Sequence, residues 1–195
     1  MARRTTTNLA YWLRSLHTSG WLRVGVITCA VVALGLGLLA YAQRPSPNAA
    51  QTLIGQRAPT FTLPAAQSSS KLGQPVTFTG AAERPTLLVF FDTLCIHCIA
   101  GVQAANAASA ASSPPSVDVV YIDSPGENAE ITGQFMARLR IDPPVLLDAH
   151  GRVATRYFVS YYPTLMLVDS HGIVRDVWIG EPTVIDLRAA IARAS

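Results

Sequence analysis

Residues 86–98 read TLLVFFDTLCIHC, and the reading of this stretch decides the fold. Thr86–Phe91 is an unbroken apolar run of strand length, the mark of a strand covered on both faces. Asp92 and Thr93 close it, and Cys95-Ile96-His97-Cys98 follows at once. The alanine-rich segment Ile99–Ala111 then has good helix propensity, so the cysteine pair stands where a buried strand hands over to a helix. Ser112-Ser113-Pro114-Pro115 breaks that helix.

Outward from this point the chain alternates strand-like and helix-like pieces. Upstream, Phe61–Leu63 and Val76–Thr79 are predicted as short strands around a polar QSSSKLGQ turn. Downstream, Val117–Ile122 is a second buried strand, Pro125 and Gly126 turn the chain, and Asn128 caps a helix that reaches Arg140 and stops at Pro143-Pro144. Val145–Leu147 is a short strand, Asp148–Gly151 a turn, and Val153–Val159 a short helix. Thr164–Val168 and Ile173–Ile179 flank Asp169-Ser170-His171-Gly172 as a hairpin, and Thr183 with Asp186 starts a last helix to Ala194. The expected architecture is α/β, a mixed sheet flanked by helices.

The N-terminal part has a different character. Of 195 residues, 50% are apolar and only 14% charged, and the surplus is concentrated in VGVITCAVVALGLGLLAY, residues 24–41. That uncharged stretch is apolar all round and long enough to cross a bilayer. Arg3, Arg4, Arg14 and Arg23 precede it, which puts the N-terminus on the cytoplasmic side and the bulk of the chain outside. Residues 1–23 are then a cytoplasmic segment, 24–41 a transmembrane signal anchor, 42–52 a linker punctuated by Pro45 and Pro47, and 53–195 the folded domain. Cleavage after Ala40-Tyr41-Ala42 is the alternative to anchoring. The same four arginines explain the net charge of +3, because the rest holds 11 basic and 12 acidic residues. On that balance a nucleic-acid partner loses its support, and none is expected.

Cys95 and Cys98 carry the chemistry. At a helix start, unpaired amides and the helix dipole stabilise a thiolate, so Cys95 is expected to be exposed and nucleophilic. Cys98 lies one turn deeper on the same face, within reach to resolve a mixed disulfide. His97, when protonated, adds positive charge beside Cys95 and favours an oxidant. A merely structural disulfide is disfavoured because so short a loop removes little unfolded-state entropy. Zinc lacks a second cysteine pair, with His150 and His171 in turns without ligand spacing, and haem attachment would need His where Ile99 stands. Cys29 reads as an inert membrane thiol, and His17 and Lys71 suggest nothing.

The LVFF strand, the Cys-x-x-Cys helix and Tyr161-Tyr162-Pro163-Thr164 leading into LMLVDSHG resemble the thioredoxin fold. Gly55-x-x-Ala58-Pro59-x-Phe61-x-Leu63, the stretch Pro144–Asp148 through Gly151 to Tyr157, and the anchor resemble more narrowly the membrane-anchored TlpA/ResA-type thiol–disulfide oxidoreductases with a redoxin (AhpC/TSA-like) domain. The resemblance covers about residues 53–192. It implies that Pro163 is a cis-proline facing the cysteines, that Tyr162 and Thr164 meet an extended substrate segment, and that no cofactor is needed beyond the cysteine pair. It further implies protein thiols or disulfides as partners, a membrane or exported thiol as electron donor, and a reductive role such as cytochrome c maturation. Phe91 and Leu94 replace the family's flanking tryptophan, and Ile96-His97 is a dipeptide commoner among oxidising or isomerising relatives. An oxidase or isomerase is therefore the first rival, and a copper-binding assembly factor using soft thiolates the rival of another class. A peroxidase fits less well, since Asp92 stands where peroxiredoxins carry Thr or Ser.

Overall fold

The computed structural model describes residues 20–42, 48–66, 72–110, 115–125, 128–141 and 145–194. The segment before residue 20 that is expected on the cytoplasmic side, Pro45 and Pro47 of the linker, most of the QSSSKLGQ turn, Ser112 to Pro114, Gly126 and Pro143-Pro144 lie outside the described residues. The chain divides into two compact units, Met1–Arg44 and Pro45–Ser195.

In the first unit, α1 (Gly20–Ala42) is one continuous helix, and its Val24–Ala42 portion is long and apolar enough to cross a membrane. Its side chains from Val24 onward are exposed, and that stretch is apolar on every face. Thr28 returns its hydroxyl to the Val24 carbonyl at 2.8 Å, so the helix presents no free donor there.

The second unit is built on a seven-stranded sheet in the order β2-β1-β5-β4-β3-β6-β7. The strands are β1 (Phe61–Ala66), β2 (Leu72–Phe78), β3 (Thr86–Phe91), β4 (Asp118–Asp123), β5 (Val145–Leu147), β6 (Thr164–Val168) and β7 (Val174–Ile179). Strands β3, β4 and β5 are parallel, and antiparallel hairpins extend the sheet on both sides. The helices are α2 (Ile96–Ser109), α3 (Ala129–Leu139), α4 (Arg152–Arg156) and α5 (Val184–Ala194).

The apolar run 86–91 is explained by two cores. Leu87, Val89 and Phe91 pack with Val102, Ala105, Phe135, Leu187 and Ile191 on one face. Leu88 and Phe90 point the other way, among Leu53, Phe61, Val153 and Tyr157. Because side chains alternate across a strand, such a run survives only where both faces are covered.

Several boundaries differ from expectation for local reasons. β1 and β2 are longer than the predicted pieces because Pro64 and Pro75 sit opposite each other beside a register shift, where a missing N–H is tolerated. The linker is shorter than 42–52: Ala49–Leu53 form a 3-10 turn that buries Ala50 and Leu53, and Gly55 and Gln56 bond to Val174. α4 starts and ends before the predicted Val153–Val159 because the Asp148 carboxylate accepts the Val153 and Ala154 amides, and Phe158 is left-handed at φ 55°. α3 starts at the expected cap, with the Ile131 amide on Asn128 at 2.9 Å, and turns off at left-handed Arg140.

Candidate active site

Three segments converge at the C-terminal end of β3. The first is the turn into α2. Asp92 Oδ1 accepts the Leu94 amide at 2.8 Å and its carbonyl accepts the Cys95 amide at 3.1 Å, so the chain reverses and Cys95 becomes the N-cap of α2. Cys95 is half-buried and Cys98, one turn on, is 0% exposed. Both are free thiols. Burial pushes the Cys98 thiol well above the ordinary cysteine value, with further upward contributions from its hydrogen bond to Cys95 and from the charges of Cys95 and Asp92. At neutral pH Cys98 is therefore protonated.

The second segment is the loop into β6. The Tyr162–Pro163 peptide is cis, and the Tyr162 carbonyl accepts from Cys95 Sγ at 3.6 Å. α2 comes close to this loop at Gly101, where an added Cβ would lie 2.9 Å from Pro163 Cγ. The Tyr162 ring packs against both cores and its hydroxyl donates to Ser124 Oγ at 3.4 Å. Ser124 in turn donates to buried Asp148 at 3.0 Å. Burial raises the Tyr162 phenol, which stays a donor. Ser124–Pro125 is a second cis peptide, at a position read from sequence only as a turn.

The third segment is Gly180 and Glu181, just past the predicted strand end at Ile179, and these two residues had no sequence signal. Gly180 donates its amide to the Pro163 carbonyl at 2.8 Å, and Glu181 Oε1 lies 2.6 Å from His97 Nδ1. A groove of about 360 Å³ is lined by His97, Tyr161, Tyr162, Pro163 and Glu181.

Two expectations change in this geometry. His97 does not stand free beside Cys95; it is held by a carboxylate 84 positions away. Thr164 is 1% exposed and donates to the Tyr161 carbonyl at 2.7 Å, so its side chain shapes the proline loop from within instead of facing a ligand. Tyr162 and Pro163 line the groove. His150 borders a separate groove with Arg152 and Arg156, and His171 lies in the β6–β7 turn. Among the described residues no group of three or more His, Cys, Asp or Glu is placed to hold a metal ion.

The fold and the Cys-x-x-Cys site define a thioredoxin-like thiol–disulfide oxidoreductase. The chain belongs to the AhpC/TSA family, which matches residues 54–177. Among solved structures, the putative thiol:disulfide interchange protein DsbE of Chlorobium tepidum is 22% identical, with a TM-score of 0.63 over 72% of this chain and 96% of that one. StoA of Bacillus subtilis is 20% identical, with a TM-score of 0.53 over 68% of this chain and 96% of that one. The 2-Cys peroxiredoxin of Plasmodium vivax is 19% identical, with a TM-score of 0.59 over 72% and 96%. At these identities the likeness is one of fold. Among curated proteins, nothing matches in sequence.

Proposed function

We propose that this chain is a membrane-anchored thiol–disulfide oxidoreductase whose domain works outside the cytoplasm and reduces protein disulfides through Cys95 and Cys98. The observation that supports it is the unequal pair: Cys95 caps α2 beside the proline loop, while Cys98 is closed off beneath it. The Cys95 thiolate attacks one sulfur of a partner disulfide, the partner's S–S bond breaks, and the leaving thiolate takes a proton from solvent. Cys98 then loses its proton and attacks Cys95 Sγ, releasing the second partner thiol. The partner gains two electrons and the pair ends as a Cys95–Cys98 disulfide, to be re-reduced by a membrane or exported dithiol donor. No cofactor enters these steps.

A protein partner is supported by the surface around the nucleophile. Leu94 and Ile96 are 75% and 74% exposed on either side of Cys95, and Tyr161 adds a half-exposed ring at the groove. Apolar side chains set out around a reactive thiol suit a polypeptide that covers them. The Tyr162 and Pro163 main chain is the edge on which an extended segment would lie. Anchoring rests on the length and composition of α1 and on the arginines before it.

The test is the reduction potential of the Cys95–Cys98 pair in the full chain in detergent, equilibrated against thiol buffers. A value near about −270 mV supports the reductive direction, and one near about −120 mV overturns it in favour of an oxidase. Hydrogen peroxide consumption faster than protein-disulfide reduction would overturn the reading altogether, in favour of a peroxidase. Protease protection of the 53–195 domain in sealed inverted membrane vesicles is expected, and its digestion would overturn the extracytoplasmic placement.

A further inference from the structure

His97 lies between the two cysteines, and an unopposed imidazolium there would favour the Cys95 thiolate. The structure supplies an opposing group from a distant part of the chain. His97 Nδ1 and Glu181 Oε1 are 2.6 Å apart, a contact that joins the first turn of α2 to the turn between β7 and α5. Glu181 is not a loose surface acid. Gly180 before it turns at φ 97° and donates its amide to Pro163, so the 180–181 turn is tied to the proline loop at one end and to the cysteine helix at the other. Other groups facing this region are Tyr161 and Tyr162 along the groove, and Asp92 on the strand side, whose charge acts on Cys98. Among the described residues lining the groove, Glu181 is the carboxylate and there is no Lys or Arg.

We propose that Glu181 is a positioning residue that holds the His97 imidazole at the groove wall and cancels its charge, which keeps the Cys95–Cys98 pair on the reducing side. This rests on the exchange activity proposed above and names the residue that sets its direction. Two physical effects act together. The carboxylate offsets the imidazolium at the distance of Cys95, and the short contact keeps the ring from swinging toward the sulfur. Because the pair is more than a third exposed, the effect is screened and modest.

The experiment is a double-mutant cycle in the full chain in detergent: wild type, Glu181→Gln, His97→Ala and the double variant. It is read at pH 6, below the ordinary histidine value of about 6.5. Alkylation of Cys95 and the equilibrium constant against a dithiol buffer are measured, with the thermal midpoint as a control for folding. Glu181→Gln is expected to alkylate about threefold faster and to shift the equilibrium about three- to tenfold toward the dithiol form, tenfold being about 30 mV. In the His97→Ala background the same substitution is expected to do little, because its effect runs through the imidazole. Glu181→Asp, which keeps the charge, is expected to restore most of the wild-type behaviour. Wild-type values in Glu181→Gln, or an equal shift with and without His97, overturn the inference while leaving the exchange activity standing. Failure of the wild-type pair to form a disulfide in any redox buffer overturns the exchange activity itself, and the inference with it.

Discussion

Two turns of this molecule begin with the same device and end in opposite states. At the end of β3, Asp92 Oδ1 accepts the amide of Leu94, two residues on, at 2.8 Å. At the end of β6, Asp169 Oδ1 accepts the amide of His171, also two residues on, at 2.9 Å. The Asp169 turn then closes on itself: the Ile173 amide adds a bond at 2.9 Å and Arg175 covers the second oxygen at 2.7 Å. The Asp92 turn instead opens into α2. It leaves Cys95 accessible, Leu94 and Ile96 in solvent, and the Thr93 hydroxyl buried without a hydrogen-bond partner among the described residues. A turn whose polar groups are all satisfied holds the sheet together, and a turn that leaves some unsatisfied holds reactivity at a cost in stability.

Substitutions in the two turns are expected to separate these roles. Cys95→Ser should lower disulfide reduction by about 10³-fold or more with little change in thermal midpoint, while Cys98→Ser should accumulate a mixed disulfide visible by mass spectrometry. Retained turnover in Cys95→Ser would remove the contrast. Asp169→Asn should cost about 1–2 kcal/mol in urea unfolding and leave the rate per folded molecule unchanged, since it removes the charge that half-exposed Arg175 covers, at the opposite end of β6 from the proline loop. Its effect should also depend on pH. Burial pulls the Asp169 carboxyl up, but the Ile173 amide, the Arg175 guanidinium and the His171 amide outweigh it and hold the group below its ordinary 3.8. A depressed folded value means that its stabilisation is present above the unfolded value and is lost as pH falls through the folded one. The stability gap between wild type and Asp169→Asn should therefore narrow below about pH 4.

Smaller effects refine the boundary of the reactive region. Gly101→Ala places a methyl group 2.9 Å from the Pro163 ring and 3.1 Å from its Cβ. About 1–3 kcal/mol of destabilisation is expected, with slower exchange because the proline loop must retreat from the cysteines. Unchanged exchange would mean that the spacing between α2 and the loop does not matter to the reaction. Asn128→Ala, which removes the cap of α3, should cost about 1 kcal/mol and leave exchange untouched.

The fold was legible wherever a short-range rule acts alone. The six residues of β3 and the three of β5 coincide with their predicted runs, because continuous apolar strands admit few other uses. The starts of α3 and α5 followed from Asn128 and from Thr183 with Asp186, whose bonds are made within one turn. Boundaries shifted where distant groups intervene. Asp148 pulled the start of α4 forward, and Val174 drew Gly55 and Gln56 into the domain.

The sequence by itself determined the cysteine pair, its position between a buried strand and a helix, and the apolar N-terminal segment. These depend on residue type and on spacings of a few positions, which local physics reads directly. Only the tertiary structure decided which groups meet at the pair. Glu181 reaches His97 across 84 positions, Tyr162 reaches Cys95 across 67, and Thr164 is turned inward by its place between β3 and β7. Such contacts follow from the packing of the whole sheet, so no window of sequence contains the information that selects them.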